Sequence, residues 1–252
     1  MKSQIISELE RIEKENDVSI LYACESGSRA WGFNHENSDY DVRFIYKRNS
    51  QRDYVTLSER SDVIEVMKGD FDIVGWDVKK ALYLHYRSNP NLREWTLSPI
   101  VYIDWMEDIF KGLPDFDNSI LKFHYTNIAT SNWKSLKDNP EISKKTVKMY
   151  LYNCRSVLVW MIVNEGENPL INIFDLLNQA KILDEGIKND ILSLVGCYKN
   201  GSIDSIDSLV IERINQWMGI SIEFMRNDFP KKQERPDLKI YDDRLFDIIF
   251  PD

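Results

Sequence analysis

The chain has 252 residues, 43% of them apolar, which is ample for packed cores in one large domain or two small ones. A formal net charge of −9 argues against broad, unspecific binding of nucleic acid or membranes, so a polyanionic ligand has to be met by local positive charge. Cys24, Cys154 and Cys197 are odd in number, widely spaced and without a CxxC pair, which fits reduced thiols better than a disulfide or zinc framework. With no leader-like start and no bilayer-length apolar run, the expected location is the cytoplasm, with no membrane partner.

From Ser3 to about Asn16, Ile5, Ile6, Leu9 and Ile12 recur at helical spacing and predict an amphipathic helix covering a sheet. Val18 to Cys24 reads as a buried strand running into Glu25-Ser26-Gly27-Ser28, and Ser28 to Phe33 is apt for a short helix. Gly27 lets backbone approach a ligand closely, N–H groups at a helix start favour anions, and Ser28 adds a hydroxyl for a phosphate oxygen. A polar loop leads to Ser38-Asp39-Tyr40-Asp41-Val42-Arg43-Phe44-Ile45-Tyr46. Strand alternation projects Asp39 and Asp41 together and sends Tyr40, Val42, Phe44 and Tyr46 to the other face. Two carboxylates in one small volume raise each other's pKa unless a cation sits between them, and a hard divalent ion with oxygen ligands is the usual solution. An isolated Asp-x-Asp would read as an Asx-rich turn before a strand. With Gly-Ser ten residues upstream it reads as a metal-dependent phosphate site.

Gly-Ser, about ten residues, then Asp-x-Asp resembles the signature of the DNA-polymerase-β-type nucleotidyltransferase superfamily, which adds a third carboxylate on a later strand. The longer run from Gly27 to Phe33 and from Ser38 to Tyr46 is similar to one branch, the predicted nucleotidyltransferases named for an RNA repair pathway. The resemblance implies an α/β (α+β) fold: a palm-like nucleotidyltransferase domain with a mixed, mostly antiparallel sheet, followed by a C-terminal helical domain. It also implies two Mg²⁺ ions, with Mn²⁺ as a substitute, and an NTP as substrate.

Tyr54 to Leu57 reads as a weak strand and Val63 to Met67 as a better one. In Gly69 to Asp77, alternation puts Asp70, Asp72, Val74 and Trp76 on one face. Asp72, followed by Ile73 and Val74, matches the family's third carboxylate best, with Asp70 next. Asp77 reads as the N-cap of a helix from Val78 to Ser88, stopped at Asn89-Pro90. Lys79 and Lys80 read as solvated lysines, with triphosphate contact as the other reading. The family likeness runs on through Gly75–Leu82 and the segment from Ser88 to Tyr102.

Beyond Gly112 and Pro114 strand signals largely cease, which suggests a catalytic domain over 1–112 and a helical domain over 113–252 that covers the nucleotide. Helices are expected over Asp117 to Lys137, Ser143 to Glu165, about Ile171 to Ile182, Asp184 to Tyr198, Asp204 to Arg226 and Asp242 to Phe250. Asp117, Ser143 and Asp204 are the candidate N-caps, and Gly166 and Gly201 mark C-terminal ends. The helix from Ser143 is apolar on most of its circumference and should be central. On it Lys148, Tyr152 and Arg155 fall at i, i+4 and i+7, within a Lys-x-Tyr-x-Tyr-x-x-Arg run that the family also carries. Either this stripe faces the nucleotide, Lys148 and Arg155 neutralising phosphates and Tyr152 stacking on a base, or Arg155 pairs with a carboxylate and Tyr152 packs. His35, His85 and His124 lack metal-site spacing, and Lys231–Pro236 reads as a solvated hinge.

The resemblance implies transfer of a nucleoside monophosphate to an acceptor hydroxyl with release of pyrophosphate. Asp39, Asp41 and Asp72 would hold the ions while Gly27, Ser28 and Arg29 hold the triphosphate. An RNA 3′ end is the favoured acceptor, with Trp31, Trp76, Trp95, Tyr102 and Tyr152 as candidate base-stacking residues. A protein side chain, modified as an antitoxin-like AMP transferase would do, or a small molecule remains an alternative acceptor. A non-catalytic nucleotide-binding regulatory module is the other class.

Overall fold

The computed structural model describes residues 1–138, 141–228 and 234–251. The chain divides into two compact units, one of Met1–Ala30, Asp39–Phe116 and Glu234–Asp252, the other of Trp31–Ser38 and Asp117–Gln233.

The first unit runs α1 (Lys2–Asn16), β1 (Val18–Glu25), α2 (Gly27–Ala30), β2 (Tyr40–Arg48), β3 (Val63–Lys68), β4 (Phe71–Asp77), α3 (Val78–Tyr86), α4 (Pro90–Thr96), β5 (Val101–Asp104) and α5 (Met106–Phe110). Its five strands lie in the order β3-β4-β2-β1-β5. Only β2 and β4 run parallel. The β3–β4 hairpin turns on Gly69-Asp70, where Gly69 takes φ 57°, a conformation that glycine adopts without steric cost. One sheet face carries Val42, Phe44, Tyr46 and Ile73 under Ile5, Leu9 and Ile12 of α1, as the helical spacing predicts. Each such side chain contributes about 1.5–3 kcal/mol on burial. The other face carries Tyr22, Cys24 and Ile45 beneath Val78, Leu82, Leu92, Trp95 and Ile109. This is the mixed, mostly antiparallel sheet that the resemblance implies.

The second unit holds α6 (Asn118–Asp138), α7 (Lys144–Asn164), α8 (Ile173–Gln179), α9 (Glu185–Asn200) and α10 (Ser208–Asn227). The central helix is α7, buried around most of its girth. Its start is locked by a capping box, in which the Ser143 N–H donates to Thr146 Oγ1 at 2.7 Å and the Thr146 N–H donates back to Ser143 Oγ at 3.3 Å. Phe33, from the segment between α2 and β2, is fully buried in this helical core.

The last helix, α11 (Leu238–Ile249), belongs to the first unit, where Tyr241 and Ile249 join the cluster around Val78 and Leu82. There the buried His85 stacks on Phe110, with ring centroids 4.8 Å apart, and its Nδ1 meets the Tyr241 hydroxyl at 3.0 Å. Burial pulls the His85 imidazole down to about 4.

Four expected elements differ, the first being the helix read over Ser28 to Phe33, which spans Gly27–Ala30 and stops there. Tyr54 to Leu57 forms no strand: Gln51–Tyr54 is a 3-10 turn, and the Tyr54 hydroxyl accepts from the Arg48 N–H at 2.9 Å and donates to Asp77 at 3.0 Å. A helix does not start at Asp204, because Ile203–Ser205 is a 3-10 turn and Asp207 caps α10. The terminal helix begins earlier than Asp242, after its cap Asp237. Lys231, Lys232 and Gln233 of the expected hinge lie outside the described residues. Among the described residues no helix is long and apolar enough to cross a membrane.

Candidate active site

Asp39 is the exposed residue that precedes β2, and Asp41 is the second residue of the strand and half-buried. Pleating commits Val42 and Phe44 to the α1 side, which leaves Asp41 and Arg43 on the opposite face. Across the parallel pairing Asp41 stands level with Asp72, as Val42 does with Ile73. The two carboxylates thus sit on adjacent strands, about 4.8 Å apart along the hydrogen-bonding direction.

The Gly-Ser turn closes on this pair. The Ser26 N–H donates to the Asp41 carbonyl at 2.7 Å. Gly27 has φ 59°, and a Cβ on it would lie 2.0 Å from Asp41 Oδ2. Glycine is therefore required there by the carboxylate itself, in addition to any approach of a phosphate. Ser28 is largely buried. Arg29 bridges the turn and the strand: its Nε donates to the Asp39 carbonyl at 3.1 Å and its guanidinium lies 3.7 Å from the Tyr40 ring centroid.

Two further residues grip the aspartates. Arg43 Nη2 donates to Asp72 Oδ2 at 2.9 Å and to Asp41 Oδ1 at 3.2 Å, while Nη1 donates to the carbonyls of Asp72 at 2.8 Å and Val42 at 3.0 Å. Glu25, fully buried at the end of β1, accepts the Asp41 N–H on Oε1 at 2.9 Å and the Tyr102 hydroxyl on Oε2. Burial pushes the Asp41 carboxyl above its ordinary value; Arg43 opposes that rise, and Asp72 and Asp39 add to it. Burial raises the Glu25 carboxyl too, against the hydrogen bonds it accepts. Among the described residues no three Asp, Glu, His or Cys already close around a single cation position. Asp41 and Asp72 are joined by Arg43 instead.

The alternatives for the third carboxylate stand elsewhere. Asp70 is exposed in the hairpin turn, where its carbonyl accepts the Tyr40 N–H at 2.8 Å. Asp77 caps α3, accepting the Lys79 N–H at 2.9 Å. It lies five residues along β4 from Asp72, about 16 Å away at strand rise. Lys80 pairs with Asp62 at 2.9 Å at that far end. Trp95 is buried and stacks on Trp76 with centroids 3.7 Å apart, so these two indoles cover each other and Trp95 offers no face to a base. Tyr102 is committed to Glu25.

In the helical unit Lys148 is exposed, its ammonium 5.6 Å from the Tyr152 ring centroid. Tyr152 meets Trp31 edge-on, centroids 5.1 Å apart. Arg155 is 5% exposed, with Nε donating to the Ile171 carbonyl at 3.0 Å and its guanidinium 4.5 Å from the Trp31 ring centroid. The Trp31 carbonyl accepts the Ile173 N–H at 2.9 Å, and a Cβ on Gly32 would strike the Asn172 amide at 2.7 Å. The segment 31–38 is thus planted in α7 and α8.

A model of the RNA repair pathway DNA polymerase beta family matches residues 1–247. The chain belongs to that family. It is accordingly a nucleotidyltransferase of the DNA polymerase β type. The uncharacterized protein YcgL of Bacillus subtilis (strain 168) is 36% identical over 230 residues, which cover 88% of this chain and 86% of that one. A solved structure, a nucleotidyltransferase-like protein from Exiguobacterium sibiricum 255-15, aligns over 98% of this chain and 90% of its own at 10% identity and a TM-score of 0.31, too remote a likeness to inform the fold.

In this member of the RNA repair pathway DNA polymerase beta family, sequence reasoning passed over Arg43, Glu25 and the tie from Tyr102. For Arg43 the signal was available, since the period of two that joins Asp39 to Asp41 also puts Arg43 on their face. For Glu25 it was a lone acid closing an apolar strand, a position that demands partners once buried.

Proposed function

We propose that this nucleotidyltransferase moves a nucleoside monophosphate from an NTP to an acceptor hydroxyl, an RNA 3′ end, and releases pyrophosphate. The observation that carries the reading is the junction of Asp41 with Gly27 on one side and Asp72 on the other. It joins a phosphate-type turn to paired carboxylates in one small volume.

The donor set suits a hard divalent cation. Asp39, Asp41 and Asp72 offer only carboxylate oxygens, and burial, with Asp72 and Asp39 adding to it, raises the Asp41 carboxyl, so a cation there would favour its charged form. In this reading the three would hold two Mg²⁺, or Mn²⁺ in their place; bound there, the ions supply charge neutralisation of the triphosphate and a lowered pKa for the acceptor hydroxyl. The chain's own residues supply position. Gly27, Ser28 and Arg29 border the triphosphate, and Glu25 fixes the backbone of Asp41. Lys148 offers an exposed charge, whereas Tyr152 and Arg155 contribute by packing Trp31. Such positioning and neutralisation account for most of the catalysis in phosphoryl transfer.

The test is to incubate the protein with each labelled NTP and a mixture of short RNA, DNA and lysate protein. A one-nucleotide RNA extension, lost when the 3′ hydroxyl is blocked and lost in Asp41→Asn, is the expected result. Label on a polypeptide with RNA unextended would transfer the assignment to protein modification. Wild-type turnover in Asp41→Asn would refute the site.

A further inference from the structure

Arg43 occupies the space between Asp41 and Asp72, and the two halves of its guanidinium are held differently. Nη1 donates to the carbonyls of Val42 and Asp72 at 3.0 and 2.8 Å, main-chain acceptors whose places are set by the β2–β4 pairing. Nη2 donates only to side chains, the carboxylates of Asp41 and Asp72 at 3.2 and 2.9 Å. One half is anchored in the sheet, while the other can exchange its partners without moving the anchor. The side chain is 17% exposed, so the pair is little screened by water.

We propose that Arg43 is a built-in counter-cation, a positioning residue that holds Asp41 and Asp72 side by side in the metal-free enzyme and yields both carboxylates through Nη2 when a divalent ion binds. The inference rests on the reading of these aspartates as metal carboxylates. Two like charges on adjacent strands repel, and a planar cation between them keeps their oxygens converged. The same charge opposes the incoming ion, because it repels that ion and because the oxygens it holds must be surrendered. Arg43 therefore exchanges metal affinity for a site already in register. Lysine cannot replace it fully, since a point ammonium lacks the fork that spans two carbonyls and two carboxylates at once.

The experiment is Mn²⁺ binding by the full-length protein without nucleotide, followed through the EPR signal of free Mn²⁺, in wild type, Arg43→Gln, Arg43→Lys and Asp41→Asn. Arg43→Gln is expected to bind Mn²⁺ about ten-fold tighter or more, as loss of a nearby unit charge requires. Arg43→Lys should show a smaller gain, and it decides the matter if the glutamine variant does not fold. A residue that merely held the fold together would not tighten the site when removed. Binding equal to or weaker than wild type in both arginine variants, with wild-type binding still dependent on Asp41, overturns the role of Arg43 alone. Binding that is the same in wild type and Asp41→Asn overturns the metal reading of the carboxylates as well.

Discussion

Asp41 is held at three points: Gly27 lies against its Oδ2, Glu25 accepts its N–H, and Arg43 holds its Oδ1. Displacement of any of these moves the carboxylate, and misplacement by about 1 Å can reduce turnover on the order of a hundred-fold. Gly27→Ala should do this most directly, because its Cβ would sit 2.0 Å from Oδ2 on a backbone at φ 59°. Turnover is expected to fall about a hundred-fold, with a loss of about 1–3 kcal/mol from the strained backbone, read from a denaturant titration. Near-normal turnover would mean that Asp41 can swing away at no cost. Asp72→Asn should lower kcat about a hundred-fold while the NTP dissociation constant changes by less than about three-fold, the pattern of an interaction made in the transition state. Asp77→Asn, at the far end of β4, should leave kcat within about two-fold, since asparagine also caps helices well. The opposite ranking of these two variants would move the third carboxylate to Asp77.

At the scale of elements, α11 and α3 are joined through His85 and Tyr241, and the burial of His85 there makes stability depend on pH. The folded imidazole titrates at about 4 against an ordinary value of 6.5, with Asp115 opposing the shift and burial causing it. The unfolded chain therefore binds the extra proton first. Stability from this group is complete above pH 6.5, declines as pH falls from 6.5 to 4, and loses about 3 kcal/mol in all. Chemical denaturation of wild type and of the double variant His85→Phe/Tyr241→Phe at pH 7.5 and 4.5 should show a larger drop for wild type; equal drops would contradict the assignment. Most elements were legible because their signals are local. Ile5, Leu9 and Ile12 repeat with a helix, Val42 and Phe44 alternate with Asp41 and Arg43 in a strand, and Asp77 caps α3 where its position suggests. Tyr54 misled because aromatic and β-branched residues favour strands, yet its hydroxyl is used to tie Arg48 to Asp77. Asp204 and Asp207 are both acceptable caps, and only the packing of Val210, Ile211 and Ile214 selects the second.

For the whole molecule, long-range pairing was the hidden part. The level placement of Asp41 and Asp72 depends on β2 and β4 running parallel, and no local pattern in either strand states which neighbour it takes. The membership of α11 is hidden for the same reason, because an amphipathic helix advertises an apolar face but not the surface that covers it. The return of α11 to the first unit has a measurable consequence. A fragment ending at residue 112 lacks Tyr241 and Ile249 over Val78 and Leu82, and it exposes Trp31 and Phe33. It should unfold without a cooperative transition by circular dichroism, whereas the full chain should show one. A sharp transition in the fragment would mean that the sheet and its nearer helices suffice.

The placement of residues 31–38 also orders events in time. Gly27-Ser28 and Asp39-Asp41 leave the ribosome within moments of one another, but the stretch between them takes its partners from Arg155, Asn172, Ile173 and Lys199. At about 5–20 residues per second those partners emerge on the order of ten seconds after Asp41. The closing helix α11 is later still. Until those partners emerge, Trp31 and Phe33 have no helical core to enter and stay in water.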